Sequence, residues 1–244
     1  MAKLSVNVNK VATLRNSRGG REPNVVEAVE VCIAAGAPGI TVHPRADRRH
    51  ITPDDVRAIV RTVRNHQGLE YNIEGDPRGE LLDLVEEVRP DQCTLVPVMP
   101  GEITSQAGWQ RGGESERLPA VIARLHAAGV RVSLFVDALP DPIRWAASTG
   151  ADRVELYTGP YGACHDDSAK AAKELGRLKE AAEAAIAEGL DVNAGHDLTV
   201  ANLPDLARRI PRLAEVSIGH ALTAEALQHG MAEAVRRFLK ACGW

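Results

Sequence analysis

The stretch Arg117–Asp137, RLPAVIARLHAAGVRVSLFVD, decides the fold. Leu118, Val121, Ile122 and Leu125 recur at helical spacing up to Ala127-Ala128-Gly129. The chain then enters Arg131–Asp137, a β-rich run that ends on a carboxylate. Glycine suits the left-handed residue that closes a helix, so this stretch reads as helix, stop and strand. The same close recurs at Ala34-Ala35-Gly36, Ser148-Thr149-Gly150 and Ala187-Glu188-Gly189, a weak internal repeat of βα units.

Working outward, strands are expected at Leu4–Asn9, Gly39–Pro44, Leu69–Glu74, Cys93–Val98, Arg131–Asp137, Arg153–Thr158, Leu190–Gly195 and Glu215–Gly219. Helices are expected at Asn24–Ala35, Pro53–Asn65, Arg78–Val88, Arg117–Ala128, Pro142–Ser148, Ser168–Glu188, Val200–Arg208 and Thr223–Ala241. Eight strands alternating with eight helices in 244 residues point to one α/β domain over 1–244, a closed (β/α)8 or TIM barrel. An open doubly wound sheet is disfavoured because no glycine-rich dinucleotide loop follows the first strand. Two connections exceed what a bare barrel needs: Lys10–Pro23 after strand one and Met99–Glu116 after strand four. The second, rich in Gly, Ser, Thr and Gln around Trp109, has the composition of a mobile lid or of an ordered surface insertion.

Composition narrows the function. With 44% apolar and 25% charged residues the chain can bury a core and is not disordered. A net charge of -4 with interspersed signs gives no field for nucleic acid. No apolar run has the length of a membrane span, and Met1-Ala2-Lys3-Leu4-Ser5 has no signal-peptide pattern, so a soluble cytoplasmic protein is expected. Cys32, Cys93, Cys164 and Cys242 are too scattered for a metal pair or disulfide framework and read as reduced.

Barrel chemistry collects where strands end, and here those ends are polar: Asn7-Val8-Asn9-Lys10, His43-Pro44-Arg45, Asn72-Ile73-Glu74, Asp137, Glu155, Gly195-His196-Asp197 and Gly219-His220. His43, His196 and His220 exchange protons near neutrality, and burial would bring Glu74 or Glu155 into the same range. His66, His126 and His229 fall in helical segments and read as structural, whereas His165 is ambiguous. Late strands that run into a helix start offer backbone N–H groups to phosphate. Arg15, Arg18, Arg45, Arg48, Arg49 and His50 in the early loops suggest a second anion site or a solvated basic loop. Lys10 is the only strand-end candidate for Schiff-base chemistry, and no HExxH or first-strand HxH supports a metal.

Four blocks carry a resemblance over essentially the whole chain: Ala12-Thr13-Leu14-Arg15-Asn16-Ser17-Arg18-Gly19, Gly39 to Ile51 through His43-Pro44-Arg45, Val192-Asn193-Ala194-Gly195-His196 and Ile218-Gly219-His220-Ala221. The chain resembles the pyridoxine 5′-phosphate synthase family of vitamin B6 biosynthesis. The resemblance implies a cofactor-independent, metal-free transferase that condenses 3-amino-2-oxopropyl phosphate with 1-deoxy-D-xylulose 5-phosphate, releasing phosphate and water. It also implies a homo-oligomer, commonly an octamer. By the same resemblance His43 and Glu74 accept protons, His196 donates one and Glu155 stabilises developing charge. Asn7 and the backbone around Asp197, Gly219 and His220 hold the amino ketone and its phosphate. Arg18, Arg45, His50 and Thr104 hold the deoxyxylulose phosphate and the phosphate it loses. Asn9 and Lys10 join this binding set where many members have Asp-His, and Asp197 stands where they have Gly. Glu70 shares the third strand, but Asn72-Ile73-Glu74 keeps the family spacing to Pro90 and Leu95-Val96-Pro97. A lysine-dependent aldolase using Lys10 and a phosphate-binding sensor or scaffold are the alternatives.

Overall fold

The computed structural model describes residues 1–97 and 107–244. The chain begins with β1 (Lys3–Asn7), α1 (Asn9–Asn16), α2 (Val25–Ala34), β2 (Gly39–Val42), α3 (Pro53–Val63), β3 (Glu70–Gly75), α4 (Gly79–Val88) and β4 (Gln92–Leu95). A 3₁₀ turn at Gly113–Arg117 leads into α5 (Leu118–Ala127), β5 (Arg131–Val136), α6 (Pro140–Ser148), β6 (Arg153–Tyr157), α7 (Gly159–Ala163) and α8 (Ser168–Ala187). The last units are β7 (Asp191–Gly195), α9 (Leu203–Arg209), β8 (Leu213–Ile218), α10 (His220–His229) and α11 (Met231–Ala241).

Neighbouring strands pair parallel in sequence order, and β8 returns to β1 to close the barrel, with Lys3 opposite Glu215 and Ser5 opposite Ser217. Alternation along each strand separates two environments. Outward residues such as Leu4, Ile40, Ile73, Leu134, Leu156 and Val216 are buried in the apolar layer shared with the helices. Inward residues are largely polar: Ser5 and Thr41 meet at 2.6 Å, Asn72 reaches Thr41 at 3.3 Å, and Thr94 donates to Asn72 at 3.1 Å. Barrels usually fill this space with branched apolar side chains. Here side-chain hydrogen bonds pair much of that layer instead, because buried polar groups without partners are costly, although Ser133 Oγ is left without one among the described residues.

All eight expected strands are present with ends moved by one or two residues, apart from the C-terminal end of the fourth: it stops at Leu95, Val96 and Pro97 have already left the sheet, and Val98 lies outside the described residues. The helix-closing glycines Gly36, Gly129, Gly150 and Gly189 have φ of +98°, +79°, +89° and +84°, the left-handed geometry expected of them. Among the described residues no helix is long and apolar enough to cross a membrane. The four cysteines are free.

Several elements differ from expectation. Strand one ends at Asn7, and α1 opens at Asn9, taking in the last residue of the expected strand and the start of the expected loop Lys10–Pro23. The Asn7 side chain causes this, since its Oδ1 accepts from Asn9 N at 3.0 Å and bends the chain out of the sheet. The single helix expected at Thr223–Ala241 begins at His220 and is broken at Gly230, φ +82°. After strand four, Trp109 is buried: its Nε1 donates to Leu95 O at 2.9 Å and its N to Phe135 O at 2.9 Å. That end of the segment is therefore seated on the barrel, while the rest of the expected lid, including Thr104, lies outside the described residues.

The helix starts carry their own signals. Asn24 Oδ1 accepts from Val26 N at 2.9 Å and Glu27 N at 3.4 Å, capping α2. Asn24→Ala is expected to lower stability by about 1 kcal/mol in urea unfolding, because two backbone donors lose their acceptor.

Candidate active site

The C-terminal ends of the strands open into a cavity of about 770 Å³. On one wall Glu74, at the top of β3, accepts from Ser217 Oγ at 3.1 Å and Asn7 Nδ2 at 3.4 Å. His43 Nδ1 stands 4.0 Å from Glu74 Oε2, and the backbone N–H of His43 donates to Asn9 Oδ1 at 2.9 Å. Four separated segments thus fix one acid and one imidazole. His43 Nε2 and His50 Nδ1 are buried with no hydrogen-bond partner among the described residues.

The opposite wall is built from β5, β6 and β7. The His196 ring lies 5.2 Å from Phe135 and 5.3 Å from Tyr157, the latter edge to face. His196 and Asp197 both have left-handed backbone, φ +81° and +55°, so the chain turns sharply as it leaves β7. Thr158 Oγ1 lies 2.6 Å from Gly195 O and also contacts His196 O, holding that turn against β6. Asp tolerates the left-handed region better than most residues, which accounts for a non-glycine at 197.

Burial sets the protonation states. It pushes Glu74 up to about 7, partly opposed by the Ser217 hydrogen bond and assisted by Glu215. Glu155 is held well above the usual carboxylate range by burial, then by Glu74 and Glu215. Burial drives His43 well below its ordinary value, with His50, Arg45 and Arg78 adding repulsion. It also takes His50 down to about 4 and lowers His196. At neutral pH His43, His50 and His196 are therefore neutral, beside a carboxyl able both to take and to release a proton.

The loop carrying His50 is fixed from α1. Arg15 donates to both carboxylate oxygens of Asp55 at 2.5 and 2.8 Å, and Asp55 completes a capping box with Thr52 at the start of α3. Asn16 Nδ2 donates to His50 O at 2.8 Å. Arg15, read from sequence as an anion-binding candidate, is thus a pin between helices. Arg18 is exposed beyond α1 and does not line the cavity. Glu74 faces the cavity, whereas Glu70 sits at the other end of β3 with Lys3 and Arg131. The other described residues that the family resemblance places in the site line the cavity, including Lys10 on its exposed rim, whereas Arg48 and Asp137 do not. Ser217, Thr13, Thr199 and Phe135 line it too and were not expected. The signal for Ser217 was available, since it lies two residues before Gly219 and on the inward face of β8. Among the described residues no three His, Cys, Asp or Glu side chains are disposed to hold a metal ion.

Residues 4–243 match the family model described as Pyridoxal phosphate biosynthesis protein PdxJ. The chain belongs to that family. Among PdxJ-family relatives it is 55% identical over 244 residues to pyridoxine 5′-phosphate synthase of Mesorhizobium japonicum, covering 100% of this chain and 99% of that protein. The enzyme of the same name from Brucella abortus is 54% identical over 243 residues, 98% of each chain. Solved structures share the fold at low identity. A 3-hexulose-6-phosphate synthase superposes with TM-score 0.63 at 14% identity over 98% of this chain and 99% of that one. A protein from Aquifex aeolicus superposes with TM-score 0.67 at 13% identity over 99% and 93%. These two support the barrel and nothing finer.

Proposed function

We infer that this PdxJ-family chain is a pyridoxine 5′-phosphate synthase. It condenses 3-amino-2-oxopropyl phosphate with 1-deoxy-D-xylulose 5-phosphate to pyridoxine 5′-phosphate, inorganic phosphate and water, as one catalytic domain over 1–244. The observation that carries this reading is the convergence of His43, Glu74, Glu155 and His196 on one cavity in a chain that matches the family from residue 4 to 243.

Imine formation joins the amine of one substrate to the ketone of the other, so the enzyme supplies proton transfers rather than a covalent lysine. Glu74 and His43 take protons from carbon and oxygen as the ring closes. Glu155, buried and protonated, donates a hydrogen bond to developing negative charge. His196 returns a proton to a leaving oxygen. In the free site its imidazole is neutral, and two phosphate dianions entering the cavity raise its proton affinity towards the donor form.

The retained phosphate of the amino ketone sits at Gly219 and His220, where α10 begins and its free N–H groups and dipole favour an anion. Asn7 holds the same substrate. Arg45, His50 and Lys10 face the deoxyxylulose phosphate, with Asn9 supporting His43 and with Thr104 in the same binding set by resemblance, while Arg18 stands outside the cavity wall. Lys10 gives this chain a fixed cation where an imidazole is usual in the family. The protein acts in the cytoplasm as a homo-oligomer, an octamer by family resemblance, and its partners are small phosphorylated molecules rather than nucleic acid or membrane.

The test is to mix purified protein with both substrates and follow pyridoxine phosphate by absorbance with inorganic phosphate in parallel. Equal appearance of the two is expected. Saturable binding of either substrate without product would overturn the assignment in favour of a phosphate-binding protein.

A further inference from the structure

One layer below the cavity, Glu215 points into the barrel from β8. It is only 2% exposed. Its Oε1 accepts from Gln92 Nε2 and Asn193 Nδ2, both at 3.4 Å. Two residues further along the same strand, and so on the same inward face, Ser217 donates to Glu74. Across the β6 to β8 surface, Glu155 is opposite Asn193 and Asn193 is opposite Glu215. Glu215 therefore underlies both buried carboxyls of the cavity without lining it.

The charges around Glu215 come from several strands. Glu70 on β3 opposes its ionisation, while Arg153 on β6 and Arg131 on β5 favour it. Lys3 on β1 and Arg131 are themselves engaged by Glu70, at 2.8 and 3.1 Å. Arg131 and Arg153 also reach the Gln92 carbonyl oxygen, at 3.1 and 3.2 Å, which turns the Gln92 amide nitrogen towards Glu215. Glu74 and Glu155 lie on the cavity side. Burial takes Glu215 up to about 7, and its charge in turn raises the proton affinity of Glu74 and Glu155.

We propose that Glu215 is a positioning residue for proton transfer: a buried charge, supported from below by Arg131 and Arg153, that keeps protons on the two carboxyls facing the substrates. The three carboxyls form one coupled set. Burial raises all three, and Arg131 and Arg153 favour ionisation of the lower member, so a charge that forms there near neutrality makes loss of the next proton, from Glu74 or Glu155, harder. This rests on the reading of Glu74 as the base and extends it to a residue that never touches substrate.

Glu215→Gln keeps the shape and can still accept from Gln92 and Asn193 while removing the charge. The acidic limb of kcat/KM is expected to move down by about one pH unit, and the ¹³C-detected carboxyl midpoints of Glu74 and Glu155 are expected to move with it. Glu215→Asp keeps the charge and should restore most of the wild-type limb. A folded Glu215→Gln protein with an unmoved Glu74 midpoint overturns the proposal. If the midpoint moves and the rate profile does not, the electrostatic role stands and the base assignment to Glu74 falls. Should Glu215→Gln not fold, wild-type carboxyl titration decides. Coupled steps near neutrality support the proposal, and three independent midpoints in the ordinary carboxylate range refute it.

Discussion

Replacing Glu74 by Gln is expected to leave the barrel folded and to lower kcat by about 10²–10⁴-fold, the usual size of a lost general base. Gln fits the same space: its carbonyl oxygen can accept from Asn7 Nδ2, and its amide nitrogen can donate to Ser217 Oγ. What disappears is the exchangeable proton. In the wild type the acidic limb of kcat/KM is expected near pH 7, where Glu74 gains its proton. In the variant the residual rate should lose that limb. Steady-state kinetics over pH 5.5 to 9, with circular dichroism as the check on folding, reads both effects. A variant with near wild-type turnover and an unchanged limb would show that another group takes the proton.

Stability should move the other way. The folded protein raises Glu74 from 4.5 to about 7, so between those values the native state binds more protons than the unfolded chain. The native state is therefore favoured below pH 4.5, and that advantage is lost as pH rises through 7. Above 7 an ionised carboxylate has to be kept in a buried site. The neutral amide escapes this cost, so Glu74→Gln is expected to resist urea better than wild type at pH 8 and to lose that advantage at pH 5. A catalytic carboxyl held against its solvation preference is what such opposite responses would reveal.

The strand ends were legible because parallel strands in a barrel aim their C-termini at one mouth, so His43, Glu74, Glu155 and His196 could be grouped from sequence alone. The helix stops at Gly36, Gly129, Gly150 and Gly189 were legible for a local reason, since positive φ favours glycine. Convergence between loops was not. Arg15 and Arg18 look alike in the sequence, yet Asp55, 40 residues away, captures the first while the second stays exposed. Helix α1 was missed because Asn7-Val8-Asn9 reads as strand, and only the turn made by the Asn7 side chain onto Asn9 N reverses it. Glu215 was overlooked because it lies inside β8 rather than at its end. The period-two alternation Leu213-Ala214-Glu215-Val216-Ser217-Ile218 did carry the signal. A carboxylate on the same face as Ser217 has to point into the barrel.

That close inner packing makes a single methyl group at Gly195 a sharp test of the catalytic wall. A Cβ built there would stand 2.1 Å from Glu155 Oε1 and 3.1 Å from its Cδ. Gly195 is extended backbone at the end of β7, so alanine is conformationally acceptable and the clash alone decides the outcome. The Glu155 carboxyl must swing away from its seat, because β6 and β7 are tied across this point by Leu156 opposite Ala194 and Tyr157 opposite Gly195. Gly195→Ala is expected to fold, and displacing a catalytic group by roughly 1 Å is expected to lower kcat by about 10²-fold. Gly219→Ala is the graded control. There the nearest atoms belong to Asn7 at 3.1 Å and need give only a few tenths of an ångström, so a smaller loss, weighted towards KM for the amino ketone, is expected. Equal losses at both glycines would mean that backbone freedom matters at these positions, and that the Glu155 carboxyl is not held where the reaction needs it.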